Sequence, residues 1–122
     1  MSVVNANQLS PTALAYIGDA VYELYVRMRY LHPPQRVHAY HRRVVEQVRA
    51  EAQAQHLQQL LPYLTPAEKD VIRRGRNAAS NPPKRASFDI YRKATGFEAL
   101  IGYLHLTCPE RLHELLQRLC LD

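Results

Sequence analysis

The sequence predicts an all-α domain. Three observations predict it. Apolar residues recur every three or four positions, Ser/Thr and Pro punctuate the chain at helix-start spacing, and no stretch alternates apolar with polar residues between hairpin turns. The 122 residues suit one domain, residues 1–122, with a modest single core. There is no internal repeat, heptad run or low-complexity tract.

Ser10-Pro11 starts the first helix, with Ser as N-cap and Pro at the first helical position. Leu14, Ile17, Val21, Leu24, Met28 and Leu31 then form its apolar seam, and Pro33-Pro34 ends it. One long helix is expected from about Gln35 to Leu61, bounded by Pro62. Thr65-Pro66-Ala67-Glu68 is a capping box that starts another, expected to stop at Gly75. Asn77 to Lys84 reads as a polar loop carrying Pro82-Pro83. Ser87 caps the next helix, which carries Phe97, Leu100, Ile101 and Leu104 on one side. Thr107-Cys108-Pro109-Glu110 restarts a last helix through Leu121.

The net charge of +5 is unevenly spread. Arg27, Arg29, Arg36, Arg42, Arg43 and Arg49 have only Glu46 among them, and the bases between Arg73 and Lys93 have only Asp89. Such segregation is the footprint of a nucleic-acid binder, although a solvated basic surface has the same composition. No apolar run approaches the length of a membrane span, and the N-terminus lacks a signal pattern. Cys108 and Cys120, the two cysteines, lack CxxC spacing and suit a reducing compartment. The expectation is a cytoplasmic protein with no membrane partner.

Two acids stand out because they interrupt apolar helical stretches: Asp19 in Tyr16-Ile17-Gly18-Asp19-Ala20-Val21, and Glu98 in Gly96-Phe97-Glu98-Ala99-Leu100. A carboxylate on an apolar helix is costly to desolvate, so it needs a partner or a metal. Tyr16, Asp19, Ala20, Glu23 and Arg27 share one stripe; Tyr91, Thr95, Glu98, Gly102 and His105 share another. If the two helices pack, Asp19 and Glu98 can meet, and Gly18 and Gly102 permit close backbone approach. The plainer alternative pairs each acid with an arginine, Asp19 near Arg27 and Glu98 with Arg92. Carboxylate oxygens in a basic chain suit Mg²⁺, or Mn²⁺ in its place. A hard cation of that kind can neutralise a phosphate and acidify a water for attack at phosphorus.

Other candidates are weaker. His38 and His41 stand three apart, but neither a cysteine nor an HExxH pattern joins them, so they add to a basic surface. Tyr16, Tyr22, Tyr25 and Tyr30 read as core, and His105 as a surface histidine. Arg73-Arg74-Gly75-Arg76-Asn77 is the sharpest basic cluster, at a helix end where guanidinium groups can grip phosphates.

Ile17-Gly18-Asp19-Ala20-Val21 resembles the signature helix of the ribonuclease III catalytic domain, and Phe97-Glu98-Ala99-Leu100-Ile101-Gly102 resembles its second acidic helix. The short branch, Mini-ribonuclease III, is most similar. It is matched by the first-helix motif from Ala13 to Ala20, by Arg73 to Ala78 and by Tyr91 to Glu98. The resemblance spans about Leu9 to Leu116. It implies a ribonuclease III catalytic-domain-like helical bundle that dimerises with itself and cleaves double-stranded RNA with Mg²⁺. Asp19 and Glu98 would be the catalytic and metal-holding residues, and Arg73, Arg74, Arg76, Asn77 and Lys84 the RNA contacts. Cleavage would leave 5′-phosphate and 3′-hydroxyl ends, and the biological substrate would be precursor large-subunit (23S) ribosomal RNA. Full-length members carry a glutamate where Ala15 stands and an aspartate where Thr95 stands, so two of four expected carboxylates are missing. The chain ends at Asp122, which leaves substrate binding to this domain's own basic surface. Two rivals follow: a ribonuclease III-like RNA-binding module without catalysis, and a helical domain whose basic surface meets an acidic protein.

Overall fold

A computed structural model describes residues 5–79 and 87–121. Among the described residues there are six α-helices and no strand: α1 (Pro11–Arg29), α2 (Val37–Val48), α3 (Ala50–Leu60), α4 (Pro66–Ala78), α5 (Phe88–Thr107) and α6 (Pro109–Leu116). Helix α5 is central, and α1, α3 and α4 all pack on it. Its buried residues Phe97, Leu100, Ile101 and Leu104 meet Tyr22 and Val26 of α1, Leu57 and Leu60 of α3, and Leu112, Leu115 and Leu116 of α6.

The helix starts follow their caps. Ser10 Oγ accepts from the Ala13 N–H at 3.1 Å, and Ser87 Oγ from the Ile90 N–H at 3.1 Å. Thr65 and Glu68 close a reciprocal box in which each side chain accepts the other's backbone N–H.

Four expectations are corrected. The segment from Gln35 to Leu61 is not one helix. Arg49, at φ −68° and ψ 157°, breaks it into α2 and α3 with neither Pro nor Gly at the break. Gln53 takes up the consequence, its side-chain amide donating to the Val48 carbonyl at 2.8 Å. Gly75 does not end α4, which runs on to Ala78. Its missing β-carbon lets α4 lie on α5, where that atom would stand 2.8 Å from Ala99 Cβ. Finally, α1 buries a different face from the seam of large aliphatics. Leu14, Ala15, Gly18, Tyr22 and Val26 point inward, while Ile17, Leu24, Met28 and Leu31 remain exposed. Gly18 holds the point on this face where α1 approaches α5 backbone to backbone, and the larger Leu14, Tyr22 and Val26 pack to either side of it. The last helix is also shorter than expected, closing at Leu116.

Candidate active site

Where α1 crosses α5, the two glycines control the spacing. A β-carbon on Gly18 would lie 1.7 Å from the Glu98 carbonyl oxygen, and one on Gly102 would lie 2.0 Å from that of Leu14. No side chain fits at either point, so the helix axes draw together there. The crossing brings the carboxylates of Asp19 and Glu98 within hydrogen-bonding reach of one another. Both line a cleft of about 260 Å³ with Thr12, Tyr16, Tyr91 and Thr95. The end of α4 reaches the same cleft through Ala78 and Ala79.

The two acids differ in setting. Asp19 is exposed to solvent, whereas Glu98 is only partly exposed. Burial first, and then the hydrogen bond and negative charge of Asp19, push the Glu98 carboxyl up to about 8. Gln53, from α3, donates toward Glu98 Oε2 at 3.5 Å and acts in the opposite direction.

Among the described residues, neither acid forms an ion pair. Arg27 binds Glu23 at 2.6 Å, and Arg92 donates to the Arg76 carbonyl at 3.1 Å and to Asn77 Oδ1 at 3.2 Å. The arginine-neutralised alternative is therefore not what forms. Two carboxylates at an open cleft with no countercharge have the donor chemistry for a hard divalent cation. The set is lean. Among the described residues, no group of three or more His, Cys, Asp or Glu side chains could hold a metal ion.

The two positions that lack a carboxylate are accounted for locally. Ala15 lies in a small apolar cluster with Ala6, Leu14, Val71 and Ala99. Thr95 turns its hydroxyl back to donate to the Tyr91 carbonyl at 3.0 Å.

Of the phosphate-binding candidates, Arg73 and Arg74 are exposed or partly so and share one carboxylate, Asp70, at 2.6 and 3.2 Å. Arg76 lies 4.0 Å from Asp89, and Asn77 accepts from Arg92. Lys84 falls outside the described residues. His38 and His41 are exposed, as is His105, which borders an apolar groove with Val21, Leu24 and Leu112, away from the acid pair. Tyr22 and Tyr30 are core, as expected, but Tyr16 is 79% exposed at the cleft.

Sequence reading missed Gln53 and His56, which stand three apart on α3 and are both buried. His56 Nε2 contacts Gln47 Oε1 at 3.0 Å, and burial lowers its pKa. Polar residues on a face with Ala52, Leu57 and Leu60 were the available signal.

Fold and site together define an all-helical nuclease domain with an acid pair at its central helix crossing. Residues 12–109 match the model of the Ribonuclease III domain, and the chain belongs to the ribonuclease III family of endoribonucleases. It is 58% identical over 116 residues to the Mini-ribonuclease 3 of Thermosynechococcus vestitus, covering 95% of this chain and 77% of that protein. It is 60% identical over 108 residues to the Mini-ribonuclease 3 of Synechocystis sp., covering 88% and 76%. An X-ray crystal structure of a Fusobacterium nucleatum protein superposes with a TM-score of 0.87 at 25% identity, over 93% of this chain and 96% of that one. Among the described residues, no helix is long and apolar enough to cross a membrane.

Proposed function

We propose that this protein cleaves double-stranded RNA with a divalent cation, Mg²⁺ or Mn²⁺, held by Asp19 and Glu98. The observation that carries the reading is the meeting of these two carboxylates at an open cleft with no arginine or lysine between them. When bound, the cation supplies charge neutralisation at the scissile phosphate and acidifies the attacking water. Asp19, the exposed member, presents its oxygens to the cleft, and Glu98 holds the inner side. Attack at phosphorus with departure of the 3′ oxygen yields the 5′-phosphate and 3′-hydroxyl ends.

Arg73, Arg74, Arg76, Asn77 and Lys84 hold the backbone phosphates. Contact with A-form RNA runs through shape, 2′-hydroxyls and phosphates, and so weakens with salt. The protein works as a homodimer in which each subunit addresses one strand. The exposed stripe of Ile17, Leu24 and Met28 beside the groove lined by Tyr25 and Leu116 supports that arrangement. The cellular substrate in this reading is precursor 23S ribosomal RNA, and the compartment is the cytoplasm.

Purified protein incubated with labelled duplex RNA tests the reading. Cutting should require Mg²⁺, stop with chelator and vanish in Asp19→Asn while duplex binding persists. The absence of carboxylates at Ala15 and Thr95 gives the rival, a catalytically inactive ribonuclease III-like RNA-binding module, its support. Binding without metal-dependent cutting across several duplexes would establish that rival instead.

A further inference from the structure

We propose that Gln53 is a positioning residue: its side-chain amide couples the α2–α3 break to Glu98 and fixes the orientation in which that carboxylate meets a divalent cation. The inference rests on the acid-pair reading above. Gln53 is 3% exposed, and its polar contacts are both made by the amide nitrogen, while Oε1 is buried without a hydrogen-bond partner among the described residues. One partner is the Val48 carbonyl at 2.8 Å, left open where Arg49 interrupts the helix. A carbonyl only accepts, so the end of the amide facing it is the nitrogen. The same nitrogen faces Glu98 Oε2 at 3.5 Å.

One NH₂ group thus spans a backbone carbonyl on one side and a site carboxylate on the other. The geometry restricts the Glu98 side chain and favours its charged form, the form a cation needs. The break at Arg49 acquires a role as well, because an unbroken helix would have no free Val48 carbonyl to anchor the amide.

Gln53→Met keeps the volume and removes both N–H donors. Mn²⁺ binding, read from the free-ion electron paramagnetic resonance signal, should weaken by about 10- to 100-fold. The Mg²⁺ concentration for half-maximal cleavage should rise in step. Duplex RNA affinity in chelator should stay at the wild-type value, while the metal-free melting temperature falls modestly with the lost Val48 bond. Gln53→Asn, which keeps an amide at the break but falls a methylene short of Glu98, should lose metal affinity too and carries the test if the Met variant does not fold. Unchanged Mn²⁺ affinity in a folded variant would overturn the proposal. So would a parallel fall in RNA affinity and melting temperature, the mark of a merely structural role. Asp19→Asn is measured alongside. Wild-type Mn²⁺ binding in that variant would defeat the acid-pair reading itself, whereas a lost signal there with Gln53→Met unaltered would defeat only the role of Gln53.

Discussion

Gly18 packs against the backbone carbonyl of Glu98 so closely that a β-carbon on the glycine would stand 1.7 Å from the carbonyl oxygen. The contact repeats one turn away, where Gly102 meets the Leu14 carbonyl. The residue after Gly18 is Asp19, and the residue supplying the carbonyl is Glu98. Packing and acid convergence are therefore one feature: the glycine that lets the helices touch also sets how near the two carboxylates come.

Gly18→Ala should accordingly be far more damaging than its size implies. The obstacle is backbone on a central helix, which cannot swing aside as a side chain would. A destabilisation of about 3 kcal/mol is expected, at the upper end for overpacking. Urea unfolding of the two proteins checks this, and cleavage should be lost even in the fraction that stays folded. An Ala variant with a wild-type midpoint would mean that the α1–α5 crossing is looser than described.

Glu98→Gln should abolish cleavage and yet stabilise the metal-free fold. The Glu98 carboxyl is pushed up to about 8 from an ordinary value of 4.5, so the folded protein holds this proton more tightly than the unfolded chain. Stability therefore falls as pH rises from 4.5 to about 8, and the full penalty applies above that. Replacing the acid by its amide removes the penalty, worth about 2 kcal/mol after discounting for the open cleft. Melting curves in chelator should show the variant ahead at pH 9 and the gap closing toward pH 5. An equal gap at both values would show that ionisation of Glu98 is not the cause.

Much of this site was legible because it is local. Ser10, Thr65 and Ser87 announce helix starts by their own side-chain chemistry, and each caps where expected. Asp19 and Glu98 were visible as acids in apolar surroundings, and Gly18 and Gly102 as points of close approach. What the sequence hid is tertiary. Helix α1 carries apolar residues on two faces, and only packing decides that Tyr22 turns inward while Leu24 stays out. The break at Arg49 has no Pro or Gly to signal it, and the contact that satisfies it, Gln53 reaching back to the Val48 carbonyl, forms only in the folded chain. Gly75 looked like a helix end because glycine serves both there and at close contacts, yet no described glycine has positive φ.

The basic end of α4 carries its own restraint. Asp70 occupies Arg73 at 2.6 Å and Arg74 at 3.2 Å, both at the surface. If these arginines bind phosphate, they must trade that carboxylate for RNA. Asp70→Asn should tighten duplex binding by about two- to fivefold at low salt and steepen the salt dependence by up to about one unit of slope. Filter binding across a salt series decides it, and weaker binding in the variant would show that Asp70 orients the arginines instead of competing for them.

Among the described residues, the least exposed ion pair lies away from the cleft and makes the fold sensitive to acid. Arg111 of α6 reaches the nearly buried Glu68 at 2.9 and 3.0 Å and also donates to the Tyr63 carbonyl at 2.7 Å, tying α6 to the start of α4. The Arg111 hydrogen bond, helped by the Thr65 backbone and opposed by burial, holds the Glu68 carboxyl below its ordinary 4.5. Its contribution is complete above that unfolded value and is lost as pH falls through the lower folded one. Arg111→Met leaves Glu68 inside without its partner and should cost about 3 kcal/mol at pH 7. Glu68→Gln keeps the Thr65 contact and should cost less. Chemical denaturation at pH 7 and pH 3.5 separates the two, because the difference between wild type and Arg111→Met should shrink at the lower pH, which lies below the ordinary 4.5 at which the unfolded chain takes up this proton. A difference that holds constant would trace the loss to the Arg111 contact with Tyr63, independent of charge.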